Sequence, residues 1–295
     1  MTSNITYQNF DWKTYIVIND DMIKNGINNK NLAWDHWVNN GIKEQRPISE
    51  INNSKIHKGR FGNLFFINMA AHFICLKSNL NFDYKYYDKF MKLGIDLYKG
   101  NRVFRETIEL NDDIFMKVIM DNTGKNHKNL VFINEMWCQK INFCWFLKDY
   151  FFQEKIRGKV IEKNVFKQRY NNNNDLYLHV RLGDIENSKS SSYEYYDKVI
   201  KTISFHKGYI SSDTITSELC KCLIKKYNLE VINCDDIETI MFASTCNNLV
   251  LSGGTYSWLI AFLAFYSKNI YYPKDKKNTW YGDIFIFPEW TGISE

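Results

Sequence analysis

From residue 172 onward the chain repeats one unit, a short apolar run followed by a longer amphipathic one. Leu176–Val180 reads as a strand after the polar linker Asn171–Asp175, and Tyr193–Phe205 reads as a helix with Tyr196, Val199, Ile200 and Ile203 on one face. The pairs Gly208–Ser211 with Thr214–Tyr227, Leu229–Ile232 with Glu238–Ser244, and Leu249–Leu251 with Tyr256–Tyr266 follow. Asn269–Tyr272 is a last short strand. Strands that alternate with helices call for a parallel sheet with right-handed crossovers, hence an α/β fold. Ligands of such sheets bind beyond the carboxyl ends of the strands, so the loops after Val180, Ile210, Ile232 and Leu251 are expected to face one crevice.

Upstream the pattern is less regular. Residues 51–171 open with an extended stretch at Lys55 and then Gly59-Arg60-Phe61-Gly62-Asn63, which leads an apolar helix through Leu64, Phe65, Ile67, Ala70, Ala71, Phe73, Ile74 and Leu76. Leu130–Ile133 reads as a strand and Ile141–Phe152 as an aromatic-rich helix. In residues 1–50, Asn28-Asn29-Lys30 precedes a helical run with Leu32, Ala33, Trp37 and Val38 on one face, and Gly41 supplies a stop. Three segments are therefore expected: a helical accessory piece (1–50), a first Rossmann-like half (51–171) and a second (172–295).

Composition excludes some classes of function. The net charge of +5 is spread along the chain, and the basic clusters Lys221–Lys226 and Lys274–Lys277 are short. A nucleic-acid binder carries a denser basic stripe, whereas a mild positive excess suits a diphosphate ligand. The 16% aromatic content goes with abundant Asn, Lys and Ile, and reads as coding bias before it reads as a sugar platform. The seven cysteines form no C-x-x-C pair and are expected to be reduced and mostly buried, with no zinc site. The sequence begins MTSNITYQNFDW, without a basic and apolar leader, and no run of 18 apolar residues occurs. A cytoplasmic protein with no membrane span is the expectation.

Three patterns carry chemistry. In Leu178-His179-Val180-Arg181-Leu182-Gly183-Asp184 an arginine sits at a strand end, where its guanidinium holds a diphosphate bidentately with a charge that is not lost. Asp184 is placed to orient it; a structural Arg181–Asp184 pair fits the same spacing. Gly59–Asn63 is a glycine-containing turn into a helix, where backbone comes close to a ligand and unpaired N–H groups face an anion. It lacks the Lys-Ser/Thr of a P-loop and the third glycine of a dinucleotide fingerprint. Leu251-Ser252-Gly253-Gly254-Thr255-Tyr256-Ser257-Trp258 again joins a buried strand to an apolar helix, offering hydroxyls and N–H groups to a phosphate, with Thr255 also suited to an N-cap.

In this order the patterns resemble the α-1,2-fucosyltransferase family and its protein O-fucosyltransferase relatives, which show a G-x-x-G-N helix start, H-x-R-x-x-D, a strand ending S-D-D, and an S-x-S-x-S-W turn. The matching residues are Gly59–Asn63, His179–Asp184, Ser211-Ser212-Asp213 and Gly253–Trp258, and Tyr193–Ile200 is similar to the family's Y-Y-x-x-A-I helix. Trp12, Tyr15, Ala33, His36, Trp37, Gly41, Glu44 and Arg46 likewise resemble a helical module that recurs beside glycosyltransferase domains. The resemblance implies a GT-B fold and metal-independent, inverting transfer of fucose from GDP-fucose to a glycan hydroxyl. It implies that His179 and Arg181 meet the nucleotide and its β-phosphate, that Thr255 and Ser257 meet the phosphates, and that Asn63 lies near the sugar. It also implies that Asp236 or Glu238 reads the guanine. Gly62, Asp213 and Tyr256 join the donor-binding set through the same motifs, and Arg181, Asn63 and Asp184 form the catalytic set. No D-x-D triplet is present, and no cofactor or metal is expected beyond the nucleotide-sugar itself. The family's second arginine is Leu182 here, the first serine of its turn is Gly253, and its second tryptophan is Leu259. Asp184, Glu186 and Glu135 are the candidate general bases. Two alternatives stand beside this reading: the same fold with another nucleotide-sugar, and a non-catalytic glycan- or protein-binding module.

Overall fold

A computed structural model describes the chain apart from residues 1–4, 9, 20, 45, 47–58, 105, 122–127, 133–135, 184–189, 275–282 and 295. The extended stretch at Lys55, and Glu135, Asp184 and Glu186, lie outside the described residues. In chain order the elements are α1 (Trp12–Ile18), α2 (Asp21–Lys24), α3 (Lys30–His36), a π turn (Trp37–Gly41), α4 (Phe61–Ser78), α5 (Tyr87–Lys92), β1 (Glu106–Leu110), α6 (Phe115–Met120), β2 (Lys128–Phe132), α7 (Ile141–Phe151), α8 (Glu154–Lys163), a 3₁₀ turn (Lys167–Arg169) and β3 (Leu176–Val180). They continue with α9 (Tyr193–Ile200), β4 (Gly208–Ser212), α10 (Glu218–Tyr227), β5 (Glu230–Val231), α11 (Asp236–Ala243), β6 (Asn248–Val250), α12 (Thr255–Phe262), β7 (Asn269–Pro273) and β8 (Thr291–Ile293). The fold is α/β with parallel sheets.

The chain forms two compact units. One holds Met1–Lys58, Ile67–Lys85 and Leu97–Met136; the other holds Gly59–Phe66, Tyr86–Asp96 and Trp137–Glu295. These divisions do not follow the breaks at 50/51 and 171/172 read from the sequence. Residues 137–171 pack with helices α11 and α12 of the C-terminal sheet layer because α7 and the segment after α8 bury side chains there. Phe151 lies 5.3 Å from Phe262, the Asn164 amide donates to the Met241 carbonyl at 2.8 Å, and the Arg169 guanidinium lies 4.3 Å from the Phe242 ring centroid.

In the first unit, β1 and β2 pair in parallel from Glu106↔Lys128 to Leu110↔Phe132. Among the described residues this two-stranded pair stands where the sequence suggested a first Rossmann-like half. The N-terminal motif residues make a core of their own: Phe10, Tyr15, Ile16, Met22, Ala33 and Trp37 are buried together. The Tyr15 hydroxyl and His36 Nδ1 are 2.8 Å apart, and Arg46 binds Asp21 through two nitrogens at 2.5 and 2.8 Å. The tryptophan, histidine, glutamate and arginine spacing of this module is thus accounted for by its own packing and ion pairs.

In the second unit, six parallel strands run in the order β5-β4-β3-β6-β7-β8. Counted from β3, that is 3-2-1-4-5-6, the doubly wound order. Strand β3 is buried along its whole length, as a central strand covered on both faces must be. Leu176, Leu178 and Val180 pack with Tyr195, Tyr196, Val199 and Ile200 of α9 and with Cys220 and Leu223 of α10. Alternation along the strand sends Tyr177 and His179 to the opposite face, where α12 lies. None of the seven cysteines is bridged and five are buried. Among the described residues no helix is long and apolar enough to cross a membrane.

Candidate functional site

The order of the sheet reverses between β3 and β6, which pair from Leu176↔Asn248 to Leu178↔Val250. From β3 the sheet extends to β4 and β5 on one side, and from β6 to β7 and β8 on the other. In such sheets ligands bind outside the carboxyl ends of the two strands at this point. The outgoing loops begin side by side, since the Ser252 amide donates to the His179 carbonyl at 3.0 Å. Two tyrosines of α9 brace this point from beneath: the Tyr196 hydroxyl donates to the same His179 carbonyl at 3.1 Å, and the Tyr195 hydroxyl to the Leu251 carbonyl at 2.8 Å. The Tyr-Tyr pair of the sequence motif thus holds both strand ends.

His179 is buried on the α12 face. Its Nδ1 lies 2.6 Å from the Ser257 hydroxyl and 3.0 Å from the Ser252 hydroxyl, the two hydroxyls are 3.0 Å apart, and the Tyr256 ring stands 5.2 Å away. Burial pushes the imidazole down to about 4, with Arg181 and Arg60 adding to the effect and Asp213 opposing it. His179 is therefore neutral near pH 7 and holds the two serines by hydrogen bonds rather than by charge.

Above it, the first turn of α12 meets the first turn of α4. Gly254 sits at the N-cap with φ of 100°, a conformation that favours glycine, and no side chain caps the helix. Thr255 is the first helical residue and not the cap expected from sequence; its hydroxyl donates instead to Asn63 Oδ1 at 2.6 Å. The approach depends on Gly62, because a Cβ there would lie 2.6 Å from the Tyr256 nitrogen and 2.7 Å from the Thr255 carbonyl carbon. Gln139 Nε2 donates to the same Asn63 oxygen at 3.2 Å. The N-terminal turns of two helices, each carrying partial positive charge, thus touch one another.

Asp213 ties down the loop that carries Arg181. Its Oδ1 accepts from the Leu182 and Gly183 amides at 2.9 and 3.1 Å, and its Oδ2 from Arg60 Nη1 at 3.1 Å. Burial pushes this carboxyl up, but the two amides and Arg60 outweigh it and hold it below the usual range. Arg181 directly follows β3, and Arg60 is tied through Asp213 to the amides of Leu182 and Gly183, so two arginines belong to the end of β3. Asp236, at the start of α11, pairs with Lys89 at 2.5 Å, and its carbonyl accepts from the Tyr256 hydroxyl at 2.5 Å. Its carboxylate is already engaged, and Glu238 is exposed.

Gly62, Asn63, His179, Arg181, Asp213, Asp236, Thr255, Tyr256 and Ser257 all fall in the second unit; the contacts above join them, Arg181 through its loop neighbours Leu182 and Gly183. Asp184 lies outside the described residues. Among the described residues the aspartate that fixes the Arg181 loop is Asp213, from the next strand. Sequence reasoning missed Arg60, Ser252 and Gln139 as members of the site. The first two lie inside the motifs that were read, while nothing around Gln139 marks it. Among the described residues no cluster of His, Cys, Asp and Glu is placed to hold a metal ion. No protein-family model matches this chain, and neither a characterised protein nor a solved structure matches it.

Two outcomes test this geometry. Gly62→Ala forces a methyl group into the α12 backbone and is expected to destabilise the protein by about 1–3 kcal/mol. Gly158→Ala, in exposed α8 with nothing within 4 Å of the added carbon, should stabilise it slightly; paired denaturant melts make the comparison. The second outcome concerns acid. An unfolded histidine titrates near 6.5, and His179 is held at about 4 when folded, so between these values the unfolded chain binds more protons. Stability contributed at neutral pH is lost as pH falls through that window, by an amount on the order of 3 kcal/mol. His179→Gln should flatten the pH dependence of unfolding between pH 6.5 and 4; the same slope in both proteins would contradict it.

Proposed function

We propose that the chain is a glycosyltransferase that moves fucose from GDP-fucose to a glycan hydroxyl with inversion, on a GT-B-like scaffold. The observation that carries this reading is the buried N-terminus of α12 without a side-chain cap at the switch point, together with Arg181 directly after the adjacent strand and Arg60 tied to its loop through Asp213. Helix N–H groups and guanidiniums are acceptor-seeking and positively charged, and their joint complement is a diphosphate. The order of the four motifs, and their convergence at one crevice, favour the fucosyltransferase resemblance over an unrelated anion site.

The chemistry follows from where charge appears. As the bond between the sugar carbon and the β-phosphate oxygen breaks, negative charge grows on that phosphate. Donors already aimed at it stabilise the leaving group without reorganising. Arg181 supplies fixed charge at the strand end. Arg60, from the turn before α4, brings a second guanidinium to the strand end where the family's second arginine is replaced by Leu182. Asp213 holds Arg60 and the Arg181 loop in one arrangement, and neutral His179 keeps Ser257 and Ser252 in place. The acceptor hydroxyl attacks the sugar carbon from the face opposite the diphosphate and releases its proton to a base, a step worth about 10²–10⁴-fold. Asp184, Glu186 and Glu135 are the carboxylates in reach of the sequence argument.

A donor screen that follows release of nucleoside diphosphate tests the reading. GDP release from GDP-fucose in the presence of a glycan acceptor is expected, with much less from GDP-mannose and UDP-sugars. Arg181→Ala is expected to lower the rate by about 10²–10³-fold. Release from UDP-sugars alone would replace the donor, and a rate unchanged in Arg181→Ala would remove the site.

A further inference from the structure

Gln139 stands apart from the residues that hold phosphate. It is 3% exposed, its Nε2 donates to Asn63 Oδ1 at 3.2 Å, and its Oε1 is buried with no hydrogen-bond donor. An enclosed carbonyl oxygen without a donor destabilises a fold, and few are kept. The backbone that presents it is also under strain: Cys138, buried, has φ of 54°, a left-handed conformation that non-glycine residues rarely adopt. The neighbouring Trp137 ring lies against Gly59, 3.4 Å from where a Cβ would stand.

The partner amide is oriented by its own bonds. Asn63 Oδ1 accepts from Thr255 Oγ1 and from Gln139 Nε2, which fills both of its lone-pair directions. That fixes the Asn63 amide and leaves its Nδ2 as the donor side. An acceptor lacking a donor and an oriented amide N–H₂ group thus belong to two side chains joined by one hydrogen bond, and Asn63 is one hydrogen bond from the first residue of α12. A phosphate or carboxylate only accepts and leaves Gln139 Oε1 unmet; an ammonium only donates and does nothing for Asn63 Nδ2. A hydroxyl does both.

We infer that Gln139 and Asn63 form a hydroxyl-reading pair for the sugar carried by the diphosphate, with Gln139 as a specificity-determining residue. This rests on the reading of the α12 N-terminus as the diphosphate site. Because Gln139 Oε1 is enclosed in the free protein, the sugar hydroxyl enters by opening the long Gln139–Asn63 contact, while the Thr255 hydroxyl continues to hold the Asn63 amide. It then donates to Gln139 and accepts from Asn63.

Calorimetry with GDP and with GDP-fucose, on the wild type and on Gln139→Met, separates the two claims. The variant keeps an unbranched side chain of similar size and removes the unpaired oxygen. Its GDP affinity should stay within about twofold, its GDP-fucose affinity should fall about tenfold to a hundredfold, and the free variant should melt higher than the wild type. Equal changes for both ligands, or none for GDP-fucose, overturn the inference while leaving the diphosphate site intact. Absence of GDP binding by the wild type overturns the site itself. GDP-fucose analogues lacking one ring hydroxyl give a second measurement that needs no variant. One of them should show the same loss on the wild type and no further loss on Gln139→Met; uniform affinity across the series contradicts the inference.

Discussion

The arrangement depends on one close approach, the first turn of α4 against the first turn of α12. Gly62 makes it sterically allowed, and the Thr255–Asn63 hydrogen bond fixes its register. Bringing two helix N-termini together is electrostatically unfavourable by itself, because each carries partial positive charge. Arg60 and Arg181 add to the same sign. Asp213 offsets part of it, but its oxygens are spent on two backbone amides and on Arg60. The positive charge gathered here is the basis of the proposed diphosphate site.

The parallel sheet explains why that place lies where it does. In the order 3-2-1-4-5-6, β3 and β6 are the neighbours at which the strand order reverses, and that switch point is where such sheets bind ligands. The local sequence then braces this point. Tyr195 and Tyr196 hold the carbonyls of Leu251 and His179, and His179 holds Ser252 and Ser257 on the other face. A neutral imidazole suits this, since a charged one beside two arginines would work against the packing that buries it.

Much of this was legible from residue patterns, for physical reasons. The run Leu176–Val180 is apolar enough to be a central strand and is one. His179, Arg181, Asp213, Thr255 and Ser257 converge because loops at the same end of a parallel sheet must. Elements with ambiguous patterns were not legible. β1 is Glu-Thr-Ile-Glu-Leu with only its last residue buried, and α8 buries only Val160. Tyr193–Phe205 ends as a helix at Ile200, and Thr214–Tyr227 begins only at Glu218, where Ser217 caps it. Within the site, the Arg60–Asp213 pair spans 153 residues and the Gln139–Asn63 bond 76, and no local spacing announces either. Thr255 has the side chain of a cap but is used as a donor to another helix, a choice that depends on tertiary contact alone.

The central claim is that the α12 N-terminus and the end of β3 hold a nucleoside diphosphate. A crystal structure of the protein soaked with GDP tests it most directly. The account predicts β-phosphate oxygens within about 3 Å of backbone N–H groups in the first turn of α12 and of the Arg181 guanidinium. GDP bound elsewhere, or an empty crevice at saturating GDP, would contradict it.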